Sequence, residues 1–449
     1  MKFNKITLLL CAVLGSATCN LAFADQKTAK QTDAASVKKL KQELQQLQQN
    51  YQDKITELES RLSDIEDNND DTQENIEQLA IDVSQQGNKK AANTFNPGLW
   101  MILNGRFVSY NDKFNYALPG YNLSTDAGPG NQGLQLDESE LNISTNVDDK
   151  FYAWTTISFG ADGANIEEAY LQTLNMGNGF NVKFGRFFSN IGYLASKHTH
   201  TDDFANRPLP YEAFLGGQFG DDGIQTTWLA PTDVFWESGI ELYRGDSFPA
   251  VGAGNSGIGT WTAFSHVGGD IGISQSWRAG LSYLHADVKD RQSSASDTFT
   301  GISKLWIADF IYRWAPNGNR VDNEFKLQGE YLARNEQGLF SDLNLTNSSI
   351  DHNQNGWYLE GVYHFSRLWS AGIRTSRLSS ANLANKFAGS VLDDLNHSPI
   401  QHSLMVEWNN SEFSHVRFQM DNNNFNGKKE NVFILQYIAA FGAHGAHAY

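Results

Sequence analysis

The side chains best suited to ligand chemistry lie in one polar stretch of the sequence, residues 189–221. Five of them recur at short intervals and are the candidate binding residues: His198, His200, Asp202, Asp203 and Arg207. Imidazole and carboxylate groups at this spacing suit a transition metal such as iron, or a metal chelate. A structural role is the alternative, because a connection this long often folds into a barrel and narrows it. The pattern specifies neither a resident cofactor nor a complete set of metal ligands.

No common catalytic motif accompanies these residues. The sequence contains no nucleophile elbow, no phosphate-binding loop and no HExxH zinc motif. The formal net charge of -17 argues against nucleic acid, since binding phosphates requires a basic surface. The sequence therefore predicts a protein that is not an enzyme and does not bind nucleic acid.

A second set of charged residues lies on the polar side of segments in which apolar and polar residues alternate. By that alternation, the following side chains should line a channel: Arg106, Glu138, Glu140, Lys183, Arg278, Arg313, Lys326, Glu330, Arg334, Glu360, Arg374 and Arg417. Opposed charges of this kind set up a field across a narrow channel and select polar solutes. Salt bridges that only hold the channel wall in register are an equally good interpretation.

The segments that must position these residues begin at about residue 98, where two-residue alternation starts. In one of them, Trp357 and Leu359 alternate with Tyr358 and Glu360. The candidate strands are about 98–110, 134–146, 150–160, 164–175, 179–188, 222–230, 233–244, 259–267, 275–287, 302–315, 322–335, 354–366, 368–379, 399–409, 412–422 and 430–442. Strands of about ten residues with one apolar face are suited to cross a bilayer at a tilt. The predicted fold is an all-β, 16-stranded antiparallel outer-membrane β-barrel over residues 98–449, in contact with outer-membrane lipid.

Composition agrees with this fold class. The mean hydropathy is -0.45, yet 12% of the residues are aromatic and 39 are glycine. A polar average with many aromatic residues is typical of a barrel with a lipid-facing outside and a wet inside. No run of about 18 consecutive apolar residues follows the N-terminus, so no transmembrane helix is predicted.

The connections between candidate strands provide an independent test. A barrel with both ends in the periplasm alternates long surface loops with tight turns. The long connections all fall at odd positions: 111–133, 189–221, 245–258, 288–301, 336–353 and 380–398. Only the connection at 160–164 is short where a long one is expected. The apolar face of the last strand, from Phe433 to Phe441, should close the barrel against a first strand that carries Leu103 and Phe107 outward.

Residues 1–24 have the pattern of a secretory signal peptide. An apolar run follows basic residues, and the AFA sequence at 22–24 supplies a cleavage site. Both cysteines, Cys11 and Cys19, lie within this segment, so a disulfide in the mature chain is not expected. Lipidation of Cys19 is the alternative to cleavage after residue 24. Together with the barrel, the signal peptide predicts the outer membrane of a Gram-negative bacterium.

Residues 37–86 carry a different, heptad-like period. Apolar residues follow steps of three and four from Val37 to Val83, and neither proline nor glycine interrupts them. This pattern predicts an α-helical coiled coil in the periplasm that joins protomers, with a trimer favoured and a dimer as the alternative. Residues 25–36 are predicted to be disordered, and residues 87–97 form a polar linker.

Several longer motifs, combined with this order of segments, resemble the LbtU-type siderophore porins. The motifs are LDESEL at 136–141, IEEAYLQT at 166–173, VKFGRF at 182–187, HTHTDDF at 198–204, DDGIQTTWLAP at 221–231 and GAHGAHAY at 442–449. The resemblance covers about residues 25–449 and implies uptake of a ferric siderophore across the outer membrane without TonB. Two alternatives stay open: a selective porin for another small polar or anionic solute, and a structural envelope protein anchored by its barrel.

Overall fold

The computed structural model describes Gln49 and residues 97–442, with gaps at 112–115, 125–126, 161–162, 175, 252–256, 293–296, 344 and 381–386. The chain divides into two compact units, Met1–Phe95 and Asn96–Tyr449, and the β-structure belongs to the second. The predicted signal peptide, disordered segment, coiled coil and linker lie outside the described residues, apart from Gln49 and Pro97. These four assignments stay predictions.

One closed antiparallel sheet contains all the strands of the described residues. Its strands are β1 (Gly98–Ser109), β2 (Gly133–Leu136), β3 (Ser139–Asn146), β4 (Phe151–Gly160), β5 (Gly163–Thr173), β6 (Phe180–Phe188), β7 (Gly220–Leu229), β8 (Phe235–Tyr243), β9 (Thr260–Ile271), β10 (Gln275–Arg291), β11 (Thr298–Trp314), β12 (Glu324–Ser341), β13 (Ser348–Ser366), β14 (Trp369–Ser380), β15 (Ile400–Ser411), β16 (Ser414–Asn424) and β17 (Lys429–Gly442). β2 and β3 both pair with β1 and share one position in the wall. The barrel therefore has sixteen strand positions, as the sequence predicts.

The barrel closes between its first and last strands. Leu103 of β1 lies opposite Ala439, and Phe107 lies opposite Leu435. Pairing these two strands leaves no free sheet edge, which a strand in a bilayer requires because lipid cannot satisfy its backbone groups.

Alternation sorts the side chains between the two faces of the wall. Trp357 and Leu359 of β13 are exposed on the outer face, whereas Tyr358 and Glu360 are buried inside. The same alternation places the apolar side chains of most strands outward, where they suit contact with lipid.

Two of the predicted long loops are wrong. β10 continues to Arg291 and β11 begins at Thr298, so most of 288–301 is strand. β12 runs to Ser341 and β13 begins at Ser348, so most of 336–353 is strand as well. Strands of 17 to 19 residues span about 60 Å at about 3.3 Å per residue. These strands are longer than the bilayer is thick. Segments whose polar composition indicated loops are therefore paired strands that extend beyond the membrane.

Residues 189–219, called the inner segment below, connect β6 to β7. They contain a 3₁₀ turn, Thr199–Thr201, and a short helix, α1 (Leu209–Leu215). No helix among the described residues is both long and apolar enough to cross a membrane.

The largest hydrophobic cluster combines the inner segment with inward-facing wall residues. Ile191 and Phe214 of the inner segment belong to it, as do Leu284, Ile307 and Leu332 of β10, β11 and β12, and all five are buried. Apolar residues that face inward thus pack against protein. The barrel interior at this level is filled by the inner segment.

Candidate functional site

The inner segment crosses the lumen. The backbone N–H of Gly192 donates to Ser282 Oγ on β10 at 3.1 Å, and the N–H of Ala205 donates to Gln419 Oε1 on β16 at 2.7 Å. β10 and β16 are not neighbours in the wall. A segment that touches both lies inside the ring of strands.

α1 is short because the sequence limits it at both ends. Pro210 lies in its first turn, where a backbone N–H would have no partner within the helix, so a proline there costs no hydrogen bond. Gly216 ends it with φ of 65°, in the left-handed region that glycine tolerates. Tyr211 and Phe214 of α1 are completely buried. The helix therefore fixes two aromatic side chains in the middle of the barrel.

Glu330 on β12 anchors one side of the inner segment. Its carboxylate accepts a hydrogen bond from the Tyr211 hydroxyl at 3.0 Å and from the Tyr358 hydroxyl at 2.6 Å. It also accepts from the backbone N–H groups of Tyr193 and Leu194, at 3.3 and 3.4 Å. We call this arrangement the Glu330 anchor. A residue predicted to line the channel thus holds the inner segment to the wall.

The two candidate histidines meet acidic residues of the wall on another side of the barrel. We call this group the His–carboxylate cluster; its members are Glu138, Glu140, Glu167, Glu168, His198 and His200. His200 Nδ1 lies 2.8 Å from Glu140 Oε1, and His198 Nδ1 lies 3.3 Å from the same oxygen. The sequence analysis names both histidines as candidate binding residues, and the fold places both beside the carboxylate of Glu140.

The remaining members of the cluster surround His198. Its Nδ1 lies 3.3 Å from Glu167 Oε2, and its Nε2 lies 3.0 Å from Glu168 Oε2. The Thr199 hydroxyl donates to Glu138 at 3.0 Å. Burial alone would lower the pKa of His198, but the carboxylates of Glu140, Glu167 and Glu168 outweigh it and hold the pKa well above its usual range.

Glu167 and Glu168 both belong to the candidate site, although strand alternation allows only one of them to face inward. Consecutive strand residues normally point to opposite faces. Here the pairing of β4 with β5 slips between Thr156 and Ile157, whose partners are Glu168 and Ile166. Glu167 is the extra residue of this bulge, so both carboxylates reach the interior. The adjacent glutamates in IEEAYLQT were the available signal.

The other three candidates of the polar stretch do not join the cluster. Asp202 pairs with Arg207 at 3.0 Å, and Asp203 pairs with Lys326 of β12. Arg207 also donates to the backbone oxygen of Leu194 at 2.6 Å. These contacts fold the inner segment on itself and tie it to the wall, which matches the structural alternative for these three residues.

The charges predicted to line the channel all lie on the interior side of the wall. Five hold the inner segment: Lys326, Glu330 and, through backbone oxygens, Arg278, Arg334 and Arg374. Three make ion pairs with other wall residues: Arg106 with Asp137, Arg313 with Glu324 and Arg417 with Glu407. Lys183 packs over the Tyr170 ring at 4.6 Å, Glu360 is buried on β13, and Glu138 and Glu140 belong to the His–carboxylate cluster. Most of these charges are therefore engaged in contacts within the protein.

A cavity of about 470 Å³ opens beside the loops that follow β1 and β14. Tyr116, Leu118 and Tyr121 line one side, and Ser390 and Asp393 line the other. These loops lie at the barrel edge opposite the chain ends, the extracellular edge if the ends are periplasmic. We call this space the outer cavity.

Comparisons with known proteins concern first the sequence and then the fold. No family model matches the sequence. The chain is 29% identical over 385 residues to a protein of Aquifex aeolicus (strain VF5) described only as uncharacterized, covering 79% of this chain and 80% of that one.

Two solved structures have similar barrels. The outer membrane channel DcaP of Acinetobacter baumannii aligns with a TM-score of 0.52 at 15% identity, covering 77% of this chain and 97% of that one. OprB of Pseudomonas putida aligns with a TM-score of 0.51 at 12% identity, covering 77% and 94%. At these identities the likeness concerns the fold alone. The chain has the fold of these porin-like outer-membrane barrels.

Proposed function

We propose that this protein is a selective outer-membrane channel that takes up a ferric siderophore without TonB. Selectivity is supported by the position of the inner segment, which crosses the lumen and buries both apolar and charged residues there. A wide water-filled pore needs no such packing. The iron cargo rests on the sequence resemblance to LbtU-type siderophore porins.

The outer cavity supports a bound cargo at the extracellular edge. Its volume of about 470 Å³ falls within the range of about 300–1,000 Å³ typical of small-molecule sites. Tyr116, Tyr121 and Asp393, which carry hydroxyl and carboxylate groups, are among its lining residues. A solute bound there would lie above the inner segment. Its passage would then require the inner segment to shift.

Planar-bilayer recording on the purified mature protein tests the channel. We expect small single-channel currents that fall when a ferric trihydroxamate siderophore is added on the extracellular side. The iron-free siderophore is the matched control and should leave the current largely unchanged. A barrel that passes no current under any of these conditions would contradict the channel and favour a structural envelope protein.

Uptake in cells tests the cargo separately. A deletion strain and its parent are given the same siderophore loaded with radioactive iron under iron limitation. We expect slower uptake in the deletion strain, restored by the gene in trans. Normal uptake together with a measurable current would reject the iron cargo and leave a channel for another small polar or anionic solute.

The coiled coil predicted at 37–86 is proposed to join protomers, with a trimer favoured over a dimer. Chemical cross-linking of the mature protein and of a variant that lacks residues 37–86 tests this assembly. Loss of the cross-linked species in the shortened variant is the expected result, and an unchanged pattern would assign assembly to the barrel.

A further inference from the structure

Three donor atoms converge at the junction between the inner segment and the wall. They are Nδ1 of His198, Nδ1 of His200 and Oε1 of Glu140, and all lie within 4.8 Å of one another. Among the described residues, this is the group of histidine, cysteine and acidic side chains compact enough to hold a metal ion. Glu140 and His200 are both buried, with 1% and 6% of their side chains exposed. The donors therefore meet in a site shielded from bulk water.

We propose that Glu140, His198 and His200 bind a divalent transition-metal ion that fastens the inner segment to the barrel wall. Two imidazoles and one carboxylate form a donor set suited to Zn²⁺ and to neighbouring ions such as Co²⁺ and Fe²⁺. Hard ions such as Ca²⁺ prefer six to eight oxygen ligands and suit this set poorly. This proposal does not depend on the cargo of the channel.

The distances fit an ion at the centre of the group. Ligand atoms that each lie about 2.1 Å from an ion are separated by about 3.0–4.2 Å from one another. The Glu140 oxygen lies 2.8 Å from one imidazole nitrogen and 3.3 Å from the other. Small side-chain rotations therefore open the space that the ion needs. Glu167 Oε2 lies 3.3 Å from His198 Nδ1 but outside the compact group of three donors.

Charge is compatible with a bound cation. The cluster combines four carboxylates with two imidazoles, so with both histidines protonated its formal charge is -4 + 2 = -2. A divalent ion bound to two neutral imidazoles gives the same formal charge. Arg106 of β1 is already paired with Asp137 at 3.3 Å, whereas Lys183 of β6 interacts electrostatically with Glu168. Uncompensated charge in a buried place is costly, and a divalent ion provides the compensation that the two imidazole protons otherwise provide.

The surroundings of His198 match those of a metal-bound imidazole. A ligating histidine usually donates its other ring N–H to a carboxylate, which fixes the ring and raises its basicity. His198 directs Nδ1 towards the donor group and Nε2 towards Glu168 Oε2 at 3.0 Å. Its buried Nδ1 lies near two carboxylates but in hydrogen-bond geometry with neither. The site then consists of the donor on β3 and the two donors of the inner segment, with Glu168 of β5 as a positioning residue.

Metal binding to the mature, detergent-refolded protein tests the proposal. His444 and His447 of the C-terminal tail are first replaced by alanine in every sample, because a pair of histidines elsewhere in the chain also binds Zn²⁺ adventitiously. The chelator-stripped protein is titrated with Zn²⁺ against a chromophoric chelator, and its metal content is measured by mass spectrometry. We expect one Zn²⁺ per chain, and the same stoichiometry with Ca²⁺ present in excess.

Variants assign the site. His198→Ala combined with His200→Ala should weaken Zn²⁺ binding by at least about 100-fold, and Glu168→Gln by about 10-fold to 100-fold. His352→Ala, which removes another buried histidine of the interior, is the matched control and should bind like the parent. Equal binding by the double variant and the parent would overturn the proposal.

A spectrum keeps the test valid if the double variant does not fold. Co²⁺ in a four-coordinate nitrogen and oxygen site gives intense visible absorption, whereas hydrated Co²⁺ absorbs weakly. We expect this absorption from the parent with its tail histidines replaced, and its loss when Zn²⁺ is added. A folded parent that shows neither the absorption nor stoichiometric Zn²⁺ would overturn the proposal by itself.

Discussion

The inner segment is held to the wall in two regions that differ in their chemistry. At the Glu330 anchor, two tyrosine hydroxyls and two backbone N–H groups converge on a single carboxylate inside an apolar cluster. At the His–carboxylate cluster, two imidazoles face four carboxylates, and the bond strength depends on protons and cations. The first region depends on packing and fixed donors. We therefore expect the first region to hold the inner segment under all conditions, and the second to change with pH and metal ions; we call them the permanent and the adjustable side.

Removing the acceptor of the permanent side should have the largest effect. In Glu330→Ala, three buried donors lose their partner, whereas the N–H of Leu194 keeps the Tyr211 hydroxyl at 3.1 Å; each unsatisfied group costs about 1–3 kcal/mol. Because some donors will find water, we expect a loss of about 4 kcal/mol in the free energy of unfolding, with a several-fold rise in single-channel current. Urea unfolding and bilayer recording measure the two effects.

Gln337→Ala is the control for that experiment, since Gln337 lies on the same strand and its exposed side chain donates to Asp351 of β13 at 3.2 Å, away from the inner segment. An unchanged current in Glu330→Ala would show that the anchor does not position the inner segment, and the contrast between the two regions would fail.

A side chain at Gly192 should disturb the same side by crowding. Gly192 has φ of +64°, and a Cβ there would collide with the Glu330 carboxylate and lie 2.9 Å from the Tyr211 hydroxyl. Gly192→Ala should therefore cost about 2–3 kcal/mol through strain and a displaced carboxylate. Gly389→Ala, at a glycine with φ of +82° and open space around it, measures the loss of stability that the positive φ causes without any steric collision. Equal losses in both variants would mean that the contact with Glu330 contributes nothing.

The adjustable side should respond to pH. The raised pKa of His198 means that its stabilisation is complete below about pH 6.5 and is lost as the pH rises through the higher folded-state value. Burial raises the pKa of Glu212 on α1 from 4.5 to about 7. The stability that protonated Glu212 contributes is therefore lost between about pH 4.5 and 7, below the pH at which His198 loses its proton. With chelator present, current should rise and protease resistance of the inner segment should fall as the pH is raised above the usual titration range of histidine.

His198→Gln is the comparison for the pH series, because it keeps a polar side chain and removes the titration. The groups that face His198 are Glu140, Glu167, Glu168 and His200. Added Zn²⁺ should reverse the trend, since metal binding requires deprotonated imidazole and strengthens as pH rises. A wild-type response identical to that of His198→Gln would contradict an adjustable contact at this histidine.

The smallest effect is expected from an ion pair that belongs to neither region. Arg186 and Asp222 pair at 2.7 Å between β6 and β7, with 42% and 44% of their side chains exposed. Such exposed pairs contribute about 0–1 kcal/mol. Arg186→Ala should leave the current unchanged and lower the free energy of unfolding by less than about 1 kcal/mol. A larger change in current would show that the wall next to the inner segment is as important as its two contact regions.

Sequence reasoning succeeded where the physical constraint is local and repeated. Every strand that crosses a bilayer must satisfy the same alternation, so sixteen strand positions and the pairing of Phe107 with the last strand were predictable. The same reasoning failed at 288–301 and 336–353, because paired strands outside the bilayer keep their alternation while their composition becomes polar. It also missed Glu167, since a bulge changes the face of a residue without any change in residue type.

By itself, then, the sequence determined the closed barrel, its sixteen strand positions and the choice of residues 189–221 as the segment of interest. Only the tertiary structure decided what that segment does. His198 and His200 meet Glu140, whereas Asp202, Asp203 and Arg207 turn to other partners. The physical reason is that alternation fixes the face on which a side chain lies, but the partner across a lumen depends on how the segment folds against strands far away in the chain. A spacing of two residues between histidines is compatible with many such partners.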